Sequence, residues 1–304
     1  MKIACIIPTY NGKKYLETLF ASLKMQDISF DIFVVDSESH DGTYELSELN
    51  ANCVTSISLN DFNHGGTRQL VVDKFSQYEA YVFLTQDAVL FDSQGIKNII
   101  APLSNAEIGA VCGRQLPHLD ANPFASHARL FNYPDSISIK AIEDVPKLGI
   151  KTAFMSNSFA AYRASALKEV GGFPSNVIFG EDMYVAAKML LSGWKVAYAG
   201  NALCRHSHNY SLAEEFRRYF DMGVFHFREP WIKLKFGGTG GEGLRFVRSE
   251  LIYLGVKRFF LWPESLVRNA VKLFAYKLGQ KEDLLPLPLK RKIGMHRRYW
   301  DEQS

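Results

Sequence analysis

Four short apolar runs, at residues 3–8, 31–35, 54–59 and 81–85, alternate with stretches of helical spacing at 13–25, from Thr43 onward, and at 66–75. Strands that alternate with helices pair in parallel, because each return to the sheet needs a crossover, and helices then cover both faces. Such a sheet holds its ligands beyond the carboxyl ends of its strands, near the point where strand order reverses. The loops after these runs are polar. The first run ends in PTYNG (Pro8, Thr9, Tyr10, Asn11, Gly12) and the second in VVDSESHDGT, which contains Asp36. The third is followed by FNHGGTRQ, with Gly65, Gly66 and Arg68. In FLTQDAVL, Gln86 and Asp87 interrupt an otherwise apolar segment. Loops at one edge of one sheet converge in space, so these groups form a candidate site.

Downstream the pattern loosens. Residues 115–160 carry several turn signals and read as a loop region. Gly180 precedes Glu181 and Asp182, an amphipathic helix runs to about Leu191, and a strand at 195–199 leads to His206 and His208. Beyond residue 212 the chain reads as helical: SLAEEFRRYFDMGVFH, a Gly-rich break at 237–243, helices at 244–261 and 263–278, then a basic and aromatic tail, RKIGMHRRYW. This divides the chain into an α/β domain, 1–215, and a helical region, 216–304.

A formal net charge of +3 is too small to argue for nucleic acid. The four cysteines, Cys5, Cys53, Cys112 and Cys204, contain no C-x-x-C pair, so neither a zinc knuckle nor a disulfide framework is indicated. A reducing, cytoplasmic setting is expected. The amino-terminal apolar run breaks at Pro8, too early for a signal peptide. No run of about 18 apolar residues is present, so no transmembrane helix is expected.

Each candidate has two readings. Asp36 is either a cap for the following turn or an acceptor for a nucleotide base or ribose. Asp87 is either a strand-end cap or, as a shielded lone carboxylate, a ligand for a hard divalent cation shared with phosphates. Gly65 and Gly66 either make a turn or let backbone approach a phosphate at a helix N-terminus. They match neither the P-loop nor G-x-G-x-x-G, which argues against a standard NTPase or dinucleotide site. Glu181 and Asp182 suit the positive end of a helix in any case. Because adjacent helical residues point about 100° apart, only one of them can face a substrate. His206 and His208, two apart on a strand, share a face and become a plausible metal pair once joined to Asp87.

Taken in order, PTYNG, VVDSESHDGT, FLTQDA, GED and HSH resemble family 2 glycosyltransferases of the GT-A fold over roughly residues 2–225. FNHGGTRQ with FLTQDA is most similar to the bacterial rhamnosyltransferase branch, which moves L-rhamnose from dTDP-L-rhamnose into O-antigen or other cell-surface polysaccharide. The resemblance implies a mostly parallel central sheet flanked by helices, with a helical carboxyl-terminal extension. It places Pro8 to Gly12, Asp36, Gly65, Gly66, Arg68 and Gln86 around the donor nucleotide, with Asp36 at the base. It makes Asp182 the catalytic base of an inverting transfer and His206 a ligand for Mg²⁺ or Mn²⁺, with His208 the runner-up. Gln86-Asp87 stands where the family has D-x-D, so only one acid remains, and Thr85 holds the leading position.

The expected partners are therefore a dTDP-sugar, with dTDP-L-rhamnose favoured, and a polyprenyl-diphosphate-linked glycan. Arg245, Arg248, Lys257 and Arg258 beside Phe246, Tyr253, Phe259 and Phe260 would suit the cytoplasmic face of an anionic inner membrane, as would the tail Arg291, Lys292, Arg297, Arg298, Tyr299 and Trp300. The same surfaces would equally make a homodimer interface or a lid. Two other functions stay open: a UDP-dependent hexosyl- or deoxyhexosyltransferase, and a non-catalytic nucleotide-binding scaffold.

Overall fold

The computed structural model describes residues 1–238 and 241–301. Thr239 and Gly240, in the Gly-rich break, lie outside them. The strands are β1 (Ile3–Thr9), β2 (Asp31–Asp36), β3 (Cys53–Ser56), β4 (Ala80–Leu84), β5 (Val89–Leu90), β6 (Ile108–Leu116), β7 (Ile137–Lys140), β8 (Phe159–Arg163) and β9 (Lys195–Arg205). They form one sheet in the order β3-β2-β1-β4-β8-β6-β9-β5, with β7 on β9.

The amino-terminal part is the expected parallel unit: β3, β2, β1 and β4 all run the same way. Strand order reverses between β1 and β4, so a crevice opens at their carboxyl ends. The ladder between them stops at Ile6↔Phe83, and Pro8, which has no N–H to donate, lies beyond it. The other half is mixed, because β8 runs antiparallel to both β4 and β6.

The strands are buried on both faces, and their side chains alternate. Ala4 and Ile6 of β1, with Tyr81 and Phe83 of β4, enter one core. Ile3, Cys5 and Ile7, with Ala80, Val82 and Leu84, enter the other. This period of two is what a pleated strand covered on both sides requires. The helix Lys13–Lys24 sends Leu16, Leu19, Phe20 and Leu23 into the second core, a spacing that keeps them on one helical face. The helices Gly66–Lys74, Glu181–Leu191 and Leu212–Arg228 contribute to the first. Burying a side chain such as Phe83, which meets the rings of Tyr162 and Phe173, contributes about 1.5–3 kcal/mol.

Three expectations change. Residues 115–160 are not a loop: they hold the end of β6, a helix Pro123–Asn132, β7, and short 3₁₀ turns. Asn122 and Pro123, which read as turn signals, start that helix, with Asn122 Oδ1 accepting from Ala125 N at 2.8 Å and proline at the first helical position. The expected helix at 244–261 divides into Glu242–Leu254 and a 3₁₀ segment Val256–Leu261. Gly255 lies between them at φ 59°, which only glycine adopts at little cost. The carboxyl-terminal tail does not offer its aromatic residues outward. Met295 and His296 donate backbone N–H groups to Asp221, and Trp300 is 1% exposed beside Phe220. No helix among the described residues is long and apolar enough to cross a membrane.

Candidate active site

The loops after β1, β2 and β4 are tied into one wall of the crevice. Asp36, 1% exposed, accepts from Thr9 Oγ1 at 3.0 Å and from the N–H and hydroxyl of Ser39 at 2.9 and 2.6 Å. Asn11, at φ 44°, takes a left-handed turn that asparagine tolerates, and its amide N–H donates to Ser39 while its side chain accepts from His40 N. Gly12 N donates to Thr43 Oγ1. The Gln86 side chain brackets the backbone of Tyr10, accepting from its N–H at 2.8 Å and donating to its carbonyl at 3.2 Å. A Cβ on Gly12 would lie 2.3 Å from Gln86 Oε1, so the glycine is needed for this bracket. Pro8 to Gly12, Asp36 and Gln86 thus come together as anticipated. Gln86 is committed to shaping the wall.

Gly65, Gly66 and Arg68, expected around the donor nucleotide, are each engaged by protein groups. A Cβ on Gly65 would sit 1.8 Å from the Pro174 carbonyl, so this glycine serves a close backbone approach. The Gly66 N–H is taken by Asn63 Oδ1 at 2.6 Å, leaving it no donor for a phosphate. Arg68 is 4% exposed; its guanidinium donates to the His64 carbonyl and lies 3.2 Å from Glu181 Oε1. It therefore supports the neighbourhood of the proposed base.

Glu181 and Asp182 begin a helix after Gly180, which adopts φ 81°, a left-handed conformation that favours glycine, and where a Cβ would press on the Phe225 ring. Glu181 is buried between Arg68 and Asn157 Nδ2, and Asn157 is steadied by Tyr162 OH. Asp182 accepts from the N–H groups of Asn157 and Met183 at 3.1 and 2.7 Å. Burial, followed by the charge of Glu181, pushes its carboxyl up to about 7. The two acids divide as adjacent helical residues must: one is locked into structure, and the other is poised to exchange a proton near neutral pH.

Asp87 meets the two histidines because of a bulge. The β6–β9 ladder jumps from Gly113↔Ala199 to Arg114↔Leu203, which leaves three extra residues in β9 and redirects its end. Cys204 and Arg205 then pair with β5, the strand immediately after Asp87. Asp87 Oδ2 lies 3.5 Å from His206 Nε2 and 3.7 Å from His208 Nδ1, and all three donor atoms fall within 4.8 Å of one another. The 3.5 and 3.7 Å separations are those of ligands about one ion at roughly 2.1 Å, so a carboxylate with two imidazoles can serve a divalent cation such as Mg²⁺ or Mn²⁺. Burial, then the charge of Arg129, holds His206 well below the usual imidazole range, so it is neutral and able to ligate.

The sequence did not single out the groups behind His206. His206 Nδ1 lies 2.9 Å from Gln115 Oε1, and the same oxygen accepts from Arg129 Nη1 at 2.6 Å. Arginine can only donate, so the amide oxygen is fixed in place and Nδ1 must carry the proton. Nε2 then presents its lone pair toward Asp87. Gln115 sits in a polar strand end and Arg129 inside a helix, 14 residues apart. Neither carries a motif, and the connection exists only once β6 and the helix Pro123–Asn132 are packed.

The family model "Glycosyltransferase like family 2" matches residues 2–220. The chain belongs to that family. It is a glycosyltransferase, and its architecture is the GT-A fold. Over 303 residues it is 50% identical to O-antigen chain rhamnosyltransferase RfbN of Salmonella typhimurium, covering 99% of this chain and 96% of the relative. It is 45% identical to O-antigen chain rhamnosyltransferase WbaN of Salmonella anatum, over 97% of this chain and 95% of that one. Among solved structures, the mannosyltransferase PcManGT of Pyrobaculum calidifontis, in complex with GDP-Man and Mn²⁺, superimposes with a TM-score of 0.58 at 19% identity, covering 99% of this chain and 85% of that one.

Proposed function

We propose that this glycosyltransferase moves L-rhamnose from dTDP-L-rhamnose to a polyprenyl-diphosphate-linked glycan during O-antigen assembly. Half of all aligned positions are shared with an O-antigen rhamnosyltransferase over nearly the full chain, and this likeness carries the reading of the sugar. The wall formed by Pro8 to Gly12 and Asp36 is assigned to the nucleoside, with Gln86 shaping it.

In this reading Asp182 accepts the proton of the acceptor hydroxyl as it attacks the anomeric carbon from the face opposite the leaving diphosphate. Arg68, through Glu181 and beside Asn157, keeps that carboxylate aimed. Asp87 and His206 would hold the cation, with His208 as a third ligand, and two imidazoles would favour Mn²⁺ over Mg²⁺. When bound, the ion neutralises charge on the departing dTDP. A cavity of about 320 Å³ lies between the loop after β3, the segment that feeds Glu181, and the tail, and it is assigned to the acceptor sugar.

The surface around Val256–Leu261 is assigned to the membrane face. Phe259 and Phe260 are 64% and 65% exposed beside Lys257 and Arg258, a pairing that suits anionic lipid. The protein would then act at the cytoplasmic face of the inner membrane. The deciding experiment incubates the protein with Mn²⁺, a panel of dTDP-, UDP- and GDP-sugars, and polyprenyl-diphosphate glycans, read by mass spectrometry. A deoxyhexose mass increment from dTDP-rhamnose alone is expected. Transfer from a UDP-hexose in its place would overturn the donor assignment, and binding without transfer would favour a scaffold.

A further inference from the structure

Arg218 lies on the helix Leu212–Arg228, in the interior of its sequence and outside every motif that pointed to the site. Its guanidinium lies near two aromatic rings, 5.6 Å from the centroid of Phe179 and 6.0 Å from that of Tyr210. Each ring belongs to one half of the active site. Tyr210 stacks on His208 at 4.9 Å, and His208 lies 3.7 Å from Asp87. Phe179 is two residues before Glu181, on the segment that delivers Asp182. The guanidinium is thus one ring away from a cation ligand on one side and from the segment that carries the base on the other.

Four other arginines are spent on protein partners: Arg68 on Glu181, Arg129 on Gln115, Arg228 on Glu282 and Arg268 on Glu215. Arg218 has no carboxylate within ion-pair distance among the described residues, and no hydrogen-bond partner there. Its positive charge is felt by His64, His206, His208 and His296 as well as by Asp221, which places it at the meeting point of both clusters. A guanidinium whose near neighbours are ring faces rather than acceptors keeps its N–H fork free, and that fork matches two phosphate oxygens.

We propose that Arg218 is an anion anchor that binds a diphosphate in the cleft, that of the nucleotide-sugar donor. This deepens the assignment of a dTDP-sugar donor to the crevice and rests on it. Asp87, His206 and His208 would hold a divalent ion that offsets charge on the leaving diphosphate, and Arg218 would add a fixed positive charge where negative charge grows as the sugar departs.

The test uses the full chain and the variants Arg218→Gln and Arg218→Lys. Calorimetric titration with dTDP in Mn²⁺ is compared with titration by thymidine, and donor and acceptor are varied separately in steady-state assays. Arg218→Gln should weaken dTDP about ten- to a hundredfold while leaving thymidine unchanged, as expected for loss of charge-assisted bonds. Arg218→Lys should recover only part of this, because it keeps the charge without the fork. Unchanged dTDP affinity in a folded Arg218→Gln protein would overturn the proposal. So would unchanged dTDP affinity with a raised KM for the polyprenyl-diphosphate glycan, which would move the anchor to the acceptor. Wild-type protein that binds no dTDP in Mn²⁺ would overturn the donor reading and this inference together.

Discussion

Gln115 has no contact with any substrate in the proposed mechanism, yet it should control the affinity for the metal. Its side-chain oxygen accepts from His206 Nδ1 and from Arg129, and its amide donates to Ser156 Oγ at 2.8 Å. Replacing it by methionine keeps a similar volume but leaves two buried donors without an acceptor. Each loss costs about 1–3 kcal/mol of stability. The tautomer of His206 is then free: with the proton on Nε2 the imidazole offers the cation no lone pair. Loss of such an outer partner weakens metal binding about 10- to 100-fold, or roughly 1.4–2.7 kcal/mol. Gln115→Glu retains an acceptor for both His206 and Arg129 and should stay within about threefold of wild type. Electron paramagnetic resonance of free Mn²⁺, titrated against each protein, reads the affinity directly, and circular dichroism checks that the variants are folded. Equal Mn²⁺ affinity in wild type and a folded Gln115→Met protein would refute the idea that the Arg129–Gln115 pair sets the ligand.

Three further outcomes are expected of the site. Asp182→Asn should lower kcat by about 10²–10⁴ while leaving dTDP affinity intact; it should also melt higher than wild type at pH 8, because a carboxyl raised to about 7 destabilises the fold as pH climbs from the ordinary carboxylate range through 7. The rise of kcat/KM with pH should have its midpoint near 7, and Glu181→Gln should move it lower, since the negative charge beside Asp182 is removed and Arg68 is released toward it; a limb that stays put would reject Asp182 as the titrating group. Gly65→Ala should cost about 1–3 kcal/mol, read as a lowered melting temperature, because its Cβ would press on the Pro174 carbonyl.

What the sequence disclosed depended on how local the cause was. The amino-terminal βα units were legible to within a few residues, because period-two and helical spacing are written in consecutive positions. The loop ends at Asp36, Asp87 and Asp182 were legible because a polar break in an apolar run is a local signal. Asn122 and Pro123 were misread because the residues that make turns also begin helices, and only the packing of the downstream segment distinguishes the two. The glycine pair at 65–66 looked like a phosphate loop, yet Gly65 answers to Pro174, more than a hundred residues away, and Gly66 to the Asn63 side chain. Arg129, Gln115 and Arg218 were invisible for the same reason: their meaning lies in a bulge in β9 and in helices that pack across the sheet, which no window of sequence contains.

The single acid of the T-Q-D segment has a consequence that binding can test. A D-x-D site brings two carboxylates to the cation. Here Asp87 stands with two imidazoles, and burial keeps His206 and His208 below their ordinary range, so the site offers an ion a single carboxylate. One unit of charge and three protein ligands leave a divalent ion under-satisfied, since Mg²⁺ and Mn²⁺ ordinarily take the rest from water and substrate phosphates. The diphosphate of the donor supplies both oxygens and charge, so metal and nucleotide should bind as a pair. Linkage makes this quantitative: the factor by which dTDP tightens Mn²⁺ equals the factor by which Mn²⁺ tightens dTDP, expected at about 5–150. Titrating Mn²⁺ with and without saturating dTDP, and dTDP with and without Mn²⁺, measures both sides of the cycle. Tight Mn²⁺ binding to the free protein, unchanged by dTDP, would mean that the ion is held by protein groups alone and that the diphosphate does not complete its coordination.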